Sequence, residues 1–594
     1  MIRIRRVYGT AFQADRNRVD QVQEMFPASF PYVASYAEKI PDMLDHPFRY
    51  GYRTVLLLSE DAQSRVTGFS LFLHFPEIQS SFLDFLAAAP RIRGGGVGAA
   101  LYEATREHLS QIGSRGLYLE TLSDDAAYVK DPKELQENRN RLRFYERYGV
   151  FPIAGTEYDR PTVRLPAGLL LFDGLGRTEP LGRAEAQAAV RLIIKRKHGK
   201  SVTADYVERV VASFVDEPVR FRPARYLRKA EPLPVVRGRL AKAFALVANS
   251  DHEIHLVQQR GYVERPARVG AIMEGLRPLG LFEEVKTRHF GEKPIRAVHD
   301  GDFVNYLTAV CRRLTVKQPV YPYVFPIRRP ERRPKDLAVR AGYYCVDTFT
   351  PLDRNAYSAA RAAVDVALTA AEEILAGRRV AYALCRPPGH HAGKRSFGGF
   401  CYFNNAAIAA QQLSLHGRVA VLDIDYHHGN GTQEIFYGRP DVLTVSIHGA
   451  PSIAYPHFSG FVDEVGQGDG KGFNRNYPLP EGTDGKTYLQ AFSKAIERIA
   501  RYRPAVLVLS LGLDCLRGDP TGSFKVPPDV MKVIGTHLVQ LNVPLLIVQE
   551  GGYSLSNLRR GPQILFAAIA ETLQRKDSHA LSGDVRRARS KQGP

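Results

Sequence analysis

The 594-residue chain has no tryptophan, five methionines and five cysteines. The missing tryptophan excludes nothing. The cysteines, Cys311, Cys345, Cys385, Cys401 and Cys515, form no CxxC pair and no even-numbered framework, which excludes a disulfide scaffold and points to reduced thiols in a cytoplasmic setting. No apolar run reaches membrane-spanning length, and the amino terminus Met1-Ile-Arg-Ile-Arg-Arg6 lacks the apolar centre of a signal peptide, so a soluble protein with no membrane partner is expected. Acid is scarcer than base: 62 Asp and Glu against 81 Lys and Arg give a net charge of +19 and a pI near 9.6. That surplus fits an anionic partner such as nucleic acid, or simply a basic soluble protein. It gathers between Arg183 and Arg239, where few acids intervene.

The chemistry centres on Val419-Ala-Val-Leu-Asp-Ile-Asp-Tyr-His-His428. Its apolar half reads as a strand buried on both faces of a parallel sheet. Asp423, Asp425 and His427 follow at every second position, so alternation along a strand would project them to one side. Two buried carboxylates need a counter-charge, which a divalent metal or a structural ion-pair network would supply. Three further apolar runs also end in polar chemistry. Val380–Cys385 leads into Arg386-Pro-Pro-Gly-His-His391, Ala505–Leu513 ends on Asp514, and Pro544–Val548 leads to Glu550-Gly-Gly-Tyr553. Carboxyl ends of parallel strands are where such sheets place their active sites, which favours the metal.

The length calls for several domains. Residues 1–165 alternate strand and helix patterns around Arg93-Gly-Gly-Gly-Val-Gly98, a turn whose backbone N–H groups would face phosphate at the start of the helix Ala99–Gln111. Residues 166–235 read as a basic helical connector whose charge faces nucleic acid, the other domains or solvent. Residues 236–573 hold the four chemical strands, and 574–594 read as a basic disordered tail.

The order of strand, Arg-x-x-Gly-x-Gly, helix, strand and helix in residues 1–165 resembles the GNAT acetyltransferase family. The resemblance implies an α/β domain that binds acetyl-CoA through Arg93, Gly94, Gly96, Gly98 and Asn138, with Tyr145 protonating the leaving thiolate. Against that role, Tyr145 could be a core or cap residue, and Asp84 and Glu120 are candidate bases by strand position alone.

Arg386–His391, Gly399-Phe-Cys-Tyr-Phe-Asn-Asn405, Asp423–Gly431, Leu511–Asp514 with Gly518-Asp-Pro520, and Glu550–Tyr553 together resemble the histone deacetylase superfamily. This implies an arginase/deacetylase-like parallel-sheet α/β/α domain with catalytic zinc on Asp425, His427 and Asp514. Manganese arginases share that fold with a different ligand pattern. In the implied roles His391 is the general base and acid, His390 acts electrostatically beside Asp423, and Tyr553 stabilises the oxyanion with help from the flexible Gly551 and Gly552. Asn430 stands where many relatives have an acid supporting the second histidine. Asp423, Asp425, His427, Ser446 and Ile447 would surround a structural potassium ion, and Phe400 and Tyr455 would wall a substrate tunnel. Gly342–Pro351 and Tyr455–Gly460 look most like the acetylpolyamine amidohydrolase branch, although Thr521 offers no carboxylate where some polyamine-specific relatives carry an acidic gate. The expected substrate is an acetylated amine or acetyl-lysine, and the expected assembly a homo-oligomer.

Overall fold

The computed structural model describes residues 3–590 except 48, 62–63, 90–96, 160–166, 178, 199–201, 227–242, 250–251, 258–261, 315–318, 323, 326–328 and 330, with side chains described as far as Lys576. Two compact units divide the chain: Met1–Pro232 with Gln259–Gly261, and Leu233–Gln258 with Tyr262–Pro594.

The first unit is built on seven strands, β1 (Arg3–Val7), β2 (Arg53–Glu60), β3 (Val66–Phe75), β4 (Ser80–Ala88), β5 (Leu117–Leu122), β6 (Phe151–Pro152) and β7 (Gly168–Asp173). They lie in the order β1-β2-β3-β4-β5-β7-β6. Every pairing is antiparallel except β4 with β5, which run parallel and pair only through Ser81–Leu83 and Leu117–Leu119. The unbroken apolar run of β2 follows from burial on both faces: Val55 and Leu57 enter one core, Leu56 and Leu58 the other. The helix Val97–Gln111 covers the first core with Leu101, Tyr102 and Leu109, and the helix Gln13–Ser29 covers the second with Val19, Val22 and Phe26.

Residues 166–235 do not form a purely helical connector. The apolar run Leu169-Leu-Leu-Phe172 supplies β7, which enters the sheet between β5 and β6. Helices Arg183–Ile193 and Ala204–Ala212 pack through Ala186, Val190, Val207 and Val210 into one cluster with Phe82, Tyr118 and Leu170. Helical periodicity alone passes over a four-residue apolar run inside a six-residue strand.

The second unit has eight strands, β8 (Phe244–Ala248), β9 (Phe282–Glu284), β10 (Val380–Leu384), β11 (Val419–Asp423), β12 (Val442–Gly449), β13 (Asn474–Leu479), β14 (Val506–Leu511) and β15 (Leu545–Gln549). Their order is β13-β12-β11-β14-β15-β10-β8-β9, parallel throughout. Alternate residues feed opposite faces, as in β11, where Val419 and Val421 join one core and Ala420 and Leu422 the other. Helices Ala356–Leu375 and Asn405–Ser414 cover one face, and Gly485–Tyr502 and Val530–Gln540 the other. The last helix, Leu555–Ser590, runs through most of the stretch expected to be a disordered tail. No proline interrupts the sequence between Pro562 and Pro594, so neither a missing N–H nor a ring clash stops the helix there. Among the described residues, no helix is long and apolar enough to cross a membrane.

Candidate active site

The strands that end in polar chemistry, β11, β14, β15 and β10, are consecutive in the second sheet, so their carboxyl ends open onto one place. Asp425 and His427 leave β11, and Asp514 follows β14. One donor atom from each of these three lies within 4.8 Å of the others. His427 Nδ1 stands 3.3 Å from Asp425 Oδ1 and 3.2 Å from Asp514 Oδ2.

β11 itself stops at Asp423, so alternation along a strand is not what aligns Asp425 and His427. The zigzag is held by side chains instead: Asp423 Oδ1 accepts the Asp425 N–H at 3.0 Å, and Asp425 Oδ1 accepts the His427 N–H at 2.9 Å. Two successive turns of this kind preserve the two-residue period beyond the sheet.

The donor set suits a divalent cation. Asp425 and Asp514 are fully buried side by side, with only an imidazole between them. Burial and the neighbouring Asp425 push Asp514 up to about 7. Burial would also raise Asp425, but His390 and His427 hold it far below the usual carboxylate range. Crowded carboxylates with mismatched proton affinities are what a shared positive charge relieves. Glycines bring the backbone close: a Cβ on Gly551 would meet Asp514 Oδ2 at 2.5 Å. Gly552 adopts φ +108°, a conformation open to glycine.

His390 and His391 lie beside this group, with ring centres 4.0 Å apart. His390 Nδ1 is 2.9 Å from Asp423 Oδ2. Burial lowers the proton affinity of His390, but Asp423 and Asp425 more than offset it and lift the imidazole to about 10. His391 Nδ1 lies 2.8 Å from the Asn430 amide oxygen, while Asn430 Nδ2 donates to the His391 carbonyl at 3.4 Å. An amide oxygen only accepts, so Nδ1 carries the proton and Nε2 is the basic nitrogen. Burial, then the neighbouring His390 and His427, keep His391 well below the usual histidine range.

Tyr455 packs against the dyad, and Phe400 is joined to it through Phe349. Tyr455 meets His391 edge-on at 4.8 Å, and Phe349 bridges the two aromatics at 5.6 and 5.5 Å. Tyr553 lies 5.7 Å from Phe400, with its backbone N–H on Asp519 Oδ2 at 2.7 Å. Asp423 and Ser446 are register partners on β11 and β12, with Ile447 next along the strand, so these positions named for potassium are neighbours.

Several supporting residues are not among the site residues named from the sequence. Glu550 accepts from the Gly389 and His390 N–H groups at 2.7 and 3.1 Å, and burial pushes it up to about 7. Arg268, fully buried, donates to the Gly552 and Glu550 carbonyls and lies 5.0 Å over the Tyr553 ring. Asp347 accepts from the Tyr455 hydroxyl at 3.2 Å and the Gly399 N–H at 2.6 Å. Glu550, Asp519 and Asp347 sit inside motifs that were legible. Arg268 is 284 residues from Gly552, and no spacing signals it.

In the first unit, Arg93, Gly94 and Gly96 lie outside the described residues. Gly98 opens the helix Val97–Gln111. Asn138 is buried and donates to the Ser123 carbonyl at 2.9 Å. Tyr145 packs edge-on against Tyr102 at 5.4 Å, and burial lifts its phenol to about 12. Asn138 and Tyr145 thus share one helix, Pro132–Glu146.

A parallel sheet carrying two carboxylates, an imidazole and a histidine dyad at one end defines a hydrolase-type centre. The histone deacetylase domain family matches residues 262–569, which include all of these groups, and the chain belongs to that family. It is 40% identical over 325 residues to acetylpolyamine amidohydrolase 1 of Pseudomonas aeruginosa, covering 52% of this chain and 94% of that protein. It is 36% identical over 326 residues to the acetylpolyamine amidohydrolase of Mycoplana ramosa, covering 53% and 96%. The crystal structure of acetylpolyamine aminohydrolase from Burkholderia pseudomallei superimposes with a TM-score of 0.53 at 36% identity, covering 55% of this chain and 99% of that one.

Proposed function

We propose that the second unit is a zinc-dependent amidohydrolase that removes acetyl groups from linear acetylated amines, acetylpolyamines or acetyl-lysine. The observation that carries this reading is the convergence of Asp425, His427 and Asp514 beside the His390–His391 pair. Asp425, His427 and Asp514 would hold the ion, which when bound supplies Lewis acidity for the amide oxygen and acidifies a water. His391 Nε2 takes the proton of that water, because Nδ1 is engaged by Asn430, and later delivers it to the departing amine nitrogen. His390 stays cationic beside Asp423 and lends positive charge to the same pocket. The Tyr553 hydroxyl donates to the developing oxyanion, its backbone pinned by Asp519 and its ring backed by Arg268. Phe400, Phe349 and Tyr455 exclude water around an extended alkyl chain. Potassium at Asp423, Asp425, His427, Ser446 and Ile447 would offset the remaining buried charge.

The first unit is proposed as an acetyl-CoA-dependent N-acetyltransferase. Support comes from the pairing of β4 with β5, the one parallel pair of this sheet among the described residues, from the parting of the two strands beyond it, and from the helix Val97–Gln111 that follows the glycine-rich sequence Gly94–Gly96.

Pure protein incubated with acetylspermidine, acetylputrescine and an acetyl-lysine peptide tests the hydrolase reading. Acetate release is expected from at least one, abolished by chelator and restored by zinc. No release from any of them with zinc present would overturn it.

A further inference from the structure

Phe400 holds a backbone conformation that bulky side chains rarely take. Its φ is +67° and that of Gly399 is +57°, so two left-handed residues follow one another. They are the centre of a tight turn in which Gly398 and Cys401 exchange backbone hydrogen bonds at 3.0 and 2.9 Å. Such a turn requires positive φ at both central positions, which glycine and asparagine adopt most readily. A phenylalanine stays there only where its surroundings dictate it.

The surroundings are two buried side chains of another loop, Asp347 and Thr350. Asp347 Oδ2 accepts the Gly399 N–H at 2.6 Å. Thr350 Oγ1 accepts the Phe400 N–H at 3.0 Å and donates its own proton to Asp347 Oδ2, also at 3.0 Å. The same carboxylate reaches the other two aromatics beside the dyad: Oδ2 accepts from the Tyr455 hydroxyl at 3.2 Å, and Oδ1 accepts the Phe349 N–H at 3.0 Å. Gly398 makes room for this, since a Cβ there would meet Asp347 Oδ2 at 2.8 Å and Tyr455 Oη at 2.9 Å. One carboxylate and one hydroxyl thus tie Phe349, Phe400 and Tyr455 together by separate hydrogen bonds.

We propose that Asp347 and Thr350 are positioning residues that set the spacing of Phe400 and Tyr455, and thereby select unbranched alkyl amides over branched ones. The substrate half of this inference rests on the amidohydrolase reading above, whereas the clamp on the Phe400 backbone does not. Without the acceptor on residue 350, the Phe400 backbone relaxes out of the left-handed region and carries the ring with it. A linear chain then loses contact, and a branched chain gains room. Substrate binding changes and proton transfer does not, so KM moves more than kcat.

Three variants of the full chain test this. Thr350→Val keeps the shape and removes the acceptor, Thr350→Ser keeps the acceptor, and Asp347→Asn replaces one acceptor oxygen by a donor. Acetate release is measured on N-acetylpentylamine and its branched isomer N-acetyl-3-methylbutylamine with zinc present. Wild type and Thr350→Ser are expected to prefer the linear amide about tenfold in kcat/KM, the scale of a misplaced methyl group in an apolar site. Thr350→Val and Asp347→Asn are expected to lose most of that preference through KM. Hydrogen exchange at the Phe400 amide needs no turnover, and is expected to be roughly tenfold faster in Thr350→Val than in wild type or Thr350→Ser, with the helix Ala356–Leu375 unchanged. A purely stabilising role lowers the melting temperature but leaves the preference and this local exchange as they were, which overturns the proposal. So does equal use of the two amides by the wild type. Should Asp347→Asn not fold, Thr350→Val decides. If the wild type releases acetate from neither amide, the amidohydrolase reading is what fails, and equal Phe400 exchange in wild type and Thr350→Val then overturns the clamp on its own.

Discussion

Asn430 holds His391 through a neutral oxygen, which orients the ring without adding negative charge to it. Asn430→Ala releases Nδ1 and lets the ring and its tautomer wander, and acetate release is expected to fall by about 10–100-fold, the usual cost of removing such an outer partner. Asn430→Asp keeps the orientation and adds a charge that favours the imidazolium. The acid limb of kcat/KM is therefore expected at higher pH than in the wild type, and coincident pH–rate profiles would refute the assignment of the basic nitrogen. At this scale the sequence was informative where a residue lies in a strand-ending motif. Asp425, His427, Asp514 and the two histidines could be grouped because parallel strands deliver their ends together. Arg268 could not, since beside Glu264, four residues away, the groups that tie it to the site are carbonyls on a loop 282–284 residues away. Asn138 and Tyr145 show the converse: a helix face can be read from spacing, but a hydrogen bond to Ser123 or a place against Tyr102 depends on what folds over it.

One buried histidine joins separate elements of the second unit. His299 Nδ1 lies 2.7 Å from the Gly393 carbonyl, in the loop beyond β10, while its Nε2 accepts the Asn404 N–H at 3.0 Å, at the start of the helix Asn405–Ser414. Both ring nitrogens are committed to the neutral form. Burial brings the imidazole down to about 4. The unfolded chain therefore binds the proton first, near pH 6.5. The stability that neutral His299 contributes is complete above that pH and is lost as pH falls toward 4, about 3 kcal/mol in all. His299→Gln can preserve a donor and an acceptor but cannot titrate. Denaturant unfolding of the second unit between pH 6.5 and 4 should lose about 1.4 kcal/mol per pH unit of slope in that variant, the contribution of one proton. Identical slopes would dismiss the role. Elements themselves were readable when long and periodic, as with Ala356–Leu375. β7 and the continuation of Leu555–Ser590 were not, because a short apolar run and a charged helix both look like connecting chain until their neighbours are known.

On the scale of the molecule, each unit has its own sheet and its own apolar clusters. Scanning calorimetry is expected to resolve two transitions. Chelator should lower the one belonging to the family-matched unit, and acetyl-CoA should raise the other, by binding only the folded form. A single transition indifferent to both would count against the proposed metal centre and the proposed cofactor site alike. The limit expected at residue 165 differs from the compact-unit limit at Pro232, because the strand and helices between them pack with the first sheet. All five cysteines belong to the second unit, and all are buried. A maleimide in solution thus meets sulfur only when that half of the chain opens, so labelling would time its unfolding while remaining blind to everything the first half does.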